Sequence, residues 1–168
     1  MIIQDTGSAT EIGEGRGTGF NINIPINSTS EAYKIAPQAK IRDVDYLYIL
    51  QILILPILKS FCPEIILVSC GFDALKGDPI GKFMLSPKLY HDYLKEIEKV
   101  CPKLIVALEG GYNLKMVQRG SAMCLKALLG QEMIVFDEEQ DAQEVNPCVS
   151  EAVLSVIDVQ KQFWPILE

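Results

Sequence analysis

The side chain that most readily suggests chemistry is a carboxylate just past an apolar run. Asp73 comes four residues after the run 65–69, which is long enough for a short strand. In parallel α/β folds ligands gather at the carboxyl ends of strands, and a carboxylate there could bind a divalent metal ion at about 2.0–2.2 Å. The same residue could equally cap a helix or stabilise its loop. Asp78 directly precedes Pro79, a pair that is typical of a turn.

A phenol occupies the matching position after a second apolar run. Tyr112 follows Gly110 and Gly111, which themselves come after the run 104–108. Glycine adopts backbone angles that other residues avoid, so the chain can turn sharply here and aim the phenol at a pocket. A tyrosine hydroxyl can donate a hydrogen bond to a developing oxyanion. The alternative is a tyrosine that packs on the edge of a sheet.

Two further patterns are weaker candidates for chemistry. His91 is the single histidine, which excludes a site built from several histidines within this chain. It lies one residue off the apolar face of a predicted helix, so we expect it in solvent. Four glycines alternate over 13–19, but a dinucleotide-binding fingerprint follows a strand and opens a helix. Here the glycines precede a predicted strand, which favours a flexible approach loop.

The composition limits the compartment and the partners. The 168 residues include 22 acidic and 15 basic side chains, for a net charge of −7, whereas binding to nucleic acid phosphates needs a basic surface. Five cysteines, an odd number without CxxC spacing, are typical of reduced intracellular thiols. The N-terminus lacks a signal-peptide pattern, and the run 47–58 is too short for a bilayer. We expect an intracellular protein, nuclear or cytoplasmic, without nucleic acid or membrane as a direct partner.

Apolar periodicity predicts the elements that must position Asp73 and Tyr112. Residues 20–26 alternate as in a half-buried strand, and the runs 65–68 and 104–108 are continuously apolar, as in strands covered on both faces. The predicted helices cover 41–61 with a kink at Pro56, a stretch that begins at Ser86 and Pro87, 114–129 up to Gly130, and 149–163, with polar connections at 27–39 and 136–146. This order predicts one α/β domain in which a parallel sheet is flanked by helices.

The two loops together resemble those of a known family. Residues 66–74 (ILVSCGFDA), followed by GDP at 77–79 and LSP at 85–87, are similar to the zinc-binding segment of the zinc-dependent histone deacetylases. Residues 108–114 (LEGGYNL) are similar to the tyrosine loop of that family. The segments 13–25 and 56–63 and the final helix up to Phe163 and Trp164 resemble family segments in the same order. The class II branch and its acetylpolyamine amidohydrolase relatives are the most similar.

The resemblance implies a fold and a set of site residues. The family has an arginase/deacetylase α/β fold, and its zinc, held by two aspartates and one histidine, polarises the acetamide carbonyl and activates a water. Residue by residue, Asp73 matches a zinc ligand and Tyr112 matches the oxyanion donor. Ile80, Gly110 and Gly111 match residues of the substrate tunnel, and the carbonyl of Phe20 matches a position near a structural potassium in some members. The implied substrates are acetylated proteins such as histone tails, or acetylated polyamines.

The sequence lacks the other zinc-site and catalytic residues of the family. The Asp-x-His zinc pair and the paired histidines of the family lie upstream of the segment that matches 13–25, and these 168 residues contain neither. We therefore expect residues 1–168 to form a partial deacetylase domain, its C-terminal half. Catalytic zinc sites use three protein ligands, so we expect no activity from the chain alone and a complementing N-terminal half as a partner. Two other functions stay open: a non-catalytic module that binds a partner chain or acyl-lysine, and a small-amide deacetylase.

Overall fold

A computed structural model describes residues 7–26, 41–133 and 144–168. The first long helical stretch begins as α1 (Asp43–Ile49), passes through a π-helical segment (Leu50–Ile54) and continues as α2 (Leu55–Phe61). The other elements are β1 (Ile66–Cys70), α3 (Pro87–Glu98), β2 (Leu104–Leu108), α4 (Leu114–Leu128) and α5 (Pro147–Gln160), with short 3-10 turns at Gly15–Gly17 and Pro165–Leu167.

The two strands form a parallel pair, as the alternation of strands and helices predicts. Val68 faces Val106 in the register of β1 and β2. These valines, with Ile66 and Leu104, pack against the main core, whose buried side chains come mostly from the helices and the loop after β1. The predicted α/β architecture, a parallel sheet flanked by helices, is confirmed.

The opposite face of the sheet is bare within the described part of the chain. Leu67 is 71% exposed and Ile105, its partner in the register, is 52% exposed, and Ser69 and Ala107, the next pair on this face, are exposed as well. The continuous apolar runs predict strands covered on both faces, and the structure covers one. Burying an aliphatic side chain contributes about 1.5–3 kcal/mol, so this face is suited to a further layer of protein.

The predicted strand over 20–26 is wrong. Residues 21–26 form neither helix nor strand and pair with no strand in the described segments. The side chains of Asn21 and Asn23 donate hydrogen bonds to the carbonyl oxygens of Glu11 and Ser8, while Ile22 and Ile24 pack towards cores that contain α5. The alternation therefore reports burial on one side of an irregular segment.

The apolar helix begins two residues after the predicted start and ends at Phe61 as predicted, and its α-helical pattern is interrupted just before Pro56. Pro56 has no N–H and cannot bond to the carbonyl four residues back, and the π-helical segment lies immediately before it. The span Asp43–Phe61 is long and apolar enough to cross a membrane by length and composition alone, a test that buried core helices also pass. Leu50 and Leu53 are fully buried in this protein, as in a core helix.

His91 is buried, which corrects its predicted position in solvent. Its Nε2 lies 3.2 Å from the carbonyl oxygen of Gln131, and its Nδ1 lies 3.2 Å from the carboxylate of Asp92. The segment that follows α4 covers this flank of α3, a contact across 40 residues that helical periodicity does not reveal. The predicted connection at 27–39 and most of that at 136–146 lie outside the described residues, as do the first six residues.

A buried carboxylate joins the start of the first helix to the start of the last. Asp45 accepts hydrogen bonds from the backbone N–H groups of Arg42, at 2.8 Å, and of Asn146, at 2.7 Å. Burial raises the pKa of Asp45, and these two bonds oppose that rise. Since Asn146 is the N-cap residue of α5, one side chain fixes two helix starts that are distant in sequence.

We predict that Asp45→Ala lowers the free energy of unfolding by about 2–4 kcal/mol, because it removes a cap and leaves buried N–H groups without that acceptor. Urea denaturation followed by circular dichroism measures the change. Asp158→Ala is the matched control, since that exposed carboxylate pairs only with Lys161 on the surface of α5. Equal midpoints for the two variants would contradict the role of Asp45.

Candidate functional site

The loops that follow β1 and β2 lie side by side at the carboxyl ends of the two strands. The backbone N–H of Phe72 donates to the carbonyl oxygen of Gly110 at 2.7 Å, and the N–H of Glu109 donates to the carbonyl oxygen of Cys70 at 3.2 Å. The ladder of the sheet thus continues into the loops. Asp73 and Tyr112 are carried by the same edge of the sheet.

Glycines on both loops make room for the Asp73 carboxylate. A Cβ atom on Gly71 would lie 3.0 Å from Asp73 Oδ1, and one on Gly110 would lie 3.0 Å from Oδ2. A Cβ on Gly81 would overlap the carbonyl oxygen of Asp73 itself. The carboxylate therefore sits in a narrow space between backbones, and only glycine fits at these positions without displacing it.

The Asp73 carboxylate has no hydrogen-bond or ion-pair partner among the residues that the structure describes, although Asp73 is half-buried. A carboxylate that capped a helix or stabilised its own loop would accept hydrogen bonds from nearby N–H groups. The structure therefore does not support the alternative, left open by the sequence, that Asp73 caps a helix or stabilises its own loop. The oxygens are available to a ligand from outside this part of the chain.

A cavity of about 300 Å³ adjoins Asp73 on the helical side of the sheet. Tyr46, Tyr90 and Tyr93 contribute to its walls. The hydroxyl of Tyr90 donates to the carbonyl oxygen of Gly71 at 2.7 Å, and burial raises the pKa of Tyr90, so the phenol stays a neutral donor. Tyr90 therefore supports the backbone directly before Asp73, a role that the sequence did not suggest.

Tyr112 presents its ring to solvent rather than packing it on the sheet edge. Its side chain is 54% exposed. Next to it, Asn113 caps α4, since its Oδ1 accepts from the N–H of Met116 at 3.4 Å, and its Nδ2 donates to the carbonyl oxygen of Gly77 at 3.0 Å. The tyrosine backbone is thus fixed between a glycine turn and the first turn of a helix, with its phenol exposed.

Asp78 holds the two loops together, which the sequence analysis missed. Its Oδ1 accepts from the N–H groups of Ile80, at 2.8 Å, and Gly81, at 2.9 Å, and its Oδ2 accepts from the N–H of Tyr112 at 2.7 Å. Burial acts to raise the pKa of Asp78, but the backbone hydrogen bonds outweigh it and hold the pKa below its usual value. The bonds to Ile80 and Gly81 match the predicted turn, whereas the bond to Tyr112 spans 34 residues and leaves no mark in the local pattern.

The other residues named by the resemblance lie in two places. Ile80 is exposed beside the Asp78 turn. Gly111, with φ of 137°, packs against Phe72 so closely that a Cβ there would be 2.9 Å from the Phe72 Cβ. Phe20 lies elsewhere in the molecule, and its ring contacts the rings of Phe61 and Trp164. The potassium site near its carbonyl stays a prediction.

The residues of this chain do not complete a zinc site on their own. In the described segments, no three side chains of histidine, cysteine, aspartate or glutamate come together as a metal-binding group. Catalytic zinc takes three protein ligands, and the free carboxylate of Asp73 is suited to be one of them. Any zinc held here needs further ligands.

We predict that Gly81→Ala lowers the free energy of unfolding by about 1–3 kcal/mol, because the methyl group must push the Asp73 backbone aside. Thermal unfolding followed through Trp164 fluorescence measures the loss. Gly17→Ala is the control, since a Cβ there meets open space. If the two variants unfold at the same temperature, the close approach of Gly81 to Asp73 is wrong.

Comparisons with known proteins agree on one family. A model of the histone deacetylase domain matches residues 5–128. Histone deacetylase 4 of Caenorhabditis briggsae is 36% identical over 167 residues, which cover 96% of this chain and 18% of that protein. Histone deacetylase 15 of Arabidopsis thaliana is 33% identical over 165 residues, covering 96% of this chain and 27% of that protein. The chain thus spans about a fifth to a quarter of these relatives.

Solved structures share the fold. The crystal structure of the HDA15 HD domain superposes with a TM-score of 0.81 at 32% identity and covers 98% of this chain, which in turn covers 41% of that one. The structure of the histone deacetylase Clr3 gives a TM-score of 0.81 at 30% identity, covering 96% of this chain and 25% of that one.

Proposed function

Because this chain belongs to the histone deacetylase family, we propose that it forms the C-terminal half of a zinc-dependent site that hydrolyses the amide of acetyl-lysine in histones or other proteins. The observation that carries the proposal is the pairing of the two loops. Asp73, a carboxylate without a partner among the described residues, and Tyr112, an exposed phenol, follow adjacent parallel strands whose loops are joined by backbone hydrogen bonds. The family is zinc-dependent in general, and its members act in the nucleus or the cytoplasm.

Each residue has a distinct role in the proposed reaction. Zinc, when bound, supplies the Lewis acid that polarises an amide carbonyl and activates water. Asp73 contributes one of its ligands, in a space that Gly71 and Gly110 keep clear. The Tyr112 hydroxyl donates a hydrogen bond to the oxyanion of the tetrahedral intermediate. Ile80, Gly110 and Gly111 form part of the channel that admits the acyl-lysine side chain.

The bare face of the sheet supports a partner that completes the domain. Leu67 and Ile105 are exposed apolar side chains, and β1 and β2 each pair on one side only in the described segments. The HDA15 HD domain, which this chain covers over 41% of its length, extends beyond the part that this chain matches. We propose that the remaining zinc ligands and the paired histidines reach Asp73 and Tyr112 from that part, on the same or a separate chain.

A second candidate is a non-catalytic module that binds acyl-lysine or a partner chain. The observation that favours it is the single histidine, which is buried against Gln131 and Asp92 and is thus committed elsewhere. A chain of this kind would bind an acetylated peptide without releasing acetate. An acetylpolyamine deacetylase would use the same chemistry on a smaller substrate.

We predict that the 168 residues alone release no acetate from an acetyl-lysine peptide with zinc present, since they supply one zinc ligand. A chimaera in which this chain replaces the matching 41% of the HDA15 HD domain should release acetate. Acetate release by the isolated chain would contradict the incomplete site. A folded, zinc-loaded chimaera that releases none from acetyl-lysine would overturn the proposed activity, and release from acetylspermidine alone would favour the small-amide substrate.

Within that chimaera, we predict that Tyr112→Phe lowers kcat by about 10²- to 10³-fold, the usual effect of removing an oxyanion donor. Asp73→Asn should release zinc as well as abolish turnover, because it weakens a charged ligand. Tyr48→Phe on α1 and Asp158→Asn on α5 are the matched controls and should retain wild-type rates. Equal rates for Tyr112→Phe and Tyr48→Phe would remove Tyr112 from the mechanism.

A further inference from the structure

We propose that Asp78 is the positioning residue that holds the catalytic tyrosine in line with the metal ligand and couples it to the wall of the substrate channel. This inference rests on the proposed function for the roles of Tyr112, Asp73 and Ile80. It adds a residue that does not touch the substrate. It also assigns a purpose to a carboxylate that bridges the two loops.

The geometry gives Asp78 two separate tasks on its two oxygens. Oδ1 accepts from the N–H groups of Ile80 and Gly81 and so closes the turn of its own loop. Oδ2 accepts from the N–H of Tyr112, at 2.7 Å, on the other loop. One rigid carboxylate therefore sets the distance between the backbone of Ile80 and the backbone of Tyr112.

The same turn is also fixed to the proposed metal ligand. Gly81 lies against the carbonyl of Asp73 with no room for a side chain. A displacement of the turn would therefore move Asp73 and Tyr112 relative to each other. Misplacement of a catalytic group by about 1 Å can cost 10²-fold in rate, so a bond to the tyrosine backbone matters to the reaction even though the phenol is far along the side chain.

The chemistry of this position requires a carboxylate. An ionised aspartate accepts hydrogen bonds on both oxygens, whereas asparagine offers one acceptor oxygen and an NH₂ donor. In Asp78→Asn, the NH₂ group must face either the turn N–H groups or the N–H of Tyr112, and that contact becomes repulsive. The side chain of Asn113, which bonds Gly77, supplies a second tie between the loops, so the variant should fold with a loosened tyrosine.

Amide hydrogen exchange on the full chain tests the tie without any activity. We expect the Tyr112 amide to exchange about tenfold faster in Asp78→Asn, in line with the loss of one hydrogen bond. The amides of Val68 and Val106 in the sheet should keep their protection, which shows that the variant is folded. Asp158→Asn is the control.

If Asp78→Asn fails to fold, Asp78→Glu, which keeps the charge and has a longer side chain, takes its place. Unchanged exchange at Tyr112 in the folded variant would overturn the inference.

A double-mutant cycle in the chimaera separates positioning from general support of the fold. We expect Asp78→Asn to lower kcat by about 10- to 100-fold in the presence of Tyr112, and to have little further effect in Tyr112→Phe, because the group that it positions is gone. Equal fold-losses in both backgrounds would overturn the inference. An inactive parent chimaera would instead count against the proposed function, and the exchange result would still decide the role of Asp78.

Discussion

The close contact between two backbone turns is the constraint on which the rest of this structure depends. Gly71 and Gly110 flank the carboxylate of Asp73, where a methyl group would press on its oxygens, and Gly81 lies on the carbonyl of Asp73 with no space for a methyl group. Because backbone hydrogen bonds also join the two loops, the loops have one relative position. Two parallel strands bring the loops to the same edge, and the glycines let them approach closely there. Asp73 and Tyr112 are carried on that edge as a consequence.

The sequence was informative wherever a local pattern decides the outcome. Gly130 follows the end of α4 with a φ of 64°, which glycine adopts without strain, and Pro87 begins α3, because its ring fixes φ near the helical value. The position of Asp73 and Tyr112 beyond apolar runs was enough to place them at one end of a parallel sheet. Helix ends and strand ends are properties of a few adjacent residues, which is why they could be predicted.

The failures concern contacts between distant segments. The alternation of Ile22 and Ile24 is real, but those side chains pack towards cores that contain helices, and the segment pairs with no strand in the part of the chain that the structure describes. His91 was expected in solvent because its own helix gives no sign of the segment after α4 that covers it. Asp78 is the clearest case, because its turn is local and its bond to Tyr112 is not. The periodicity of apolar residues indicates which side chains are buried, but the segment that covers them is known only from the fold.

The sheet has one face covered by helices and, within the described residues, one bare face. The helices on the covered side stabilise the pair of strands, and the clamp through Asp45 ties their starts together. The sheet face that is bare within the described residues, and the Asp73 carboxylate, which has no partner among them, are where we propose that the rest of the domain joins. The site also draws on the covered side, since Tyr90 on α3 supports the backbone next to Asp73.

A crystal structure of the chimaera with an acetyl-lysine peptide, with anomalous diffraction recorded at the zinc edge, addresses the shared site most directly. The result in keeping with the physical picture is a single zinc at about 2.0–2.2 Å from an Asp73 oxygen, with the Tyr112 hydroxyl directed at the amide oxygen of the peptide. Zinc bound without Asp73, or a Tyr112 phenol turned away from the peptide, would contradict it.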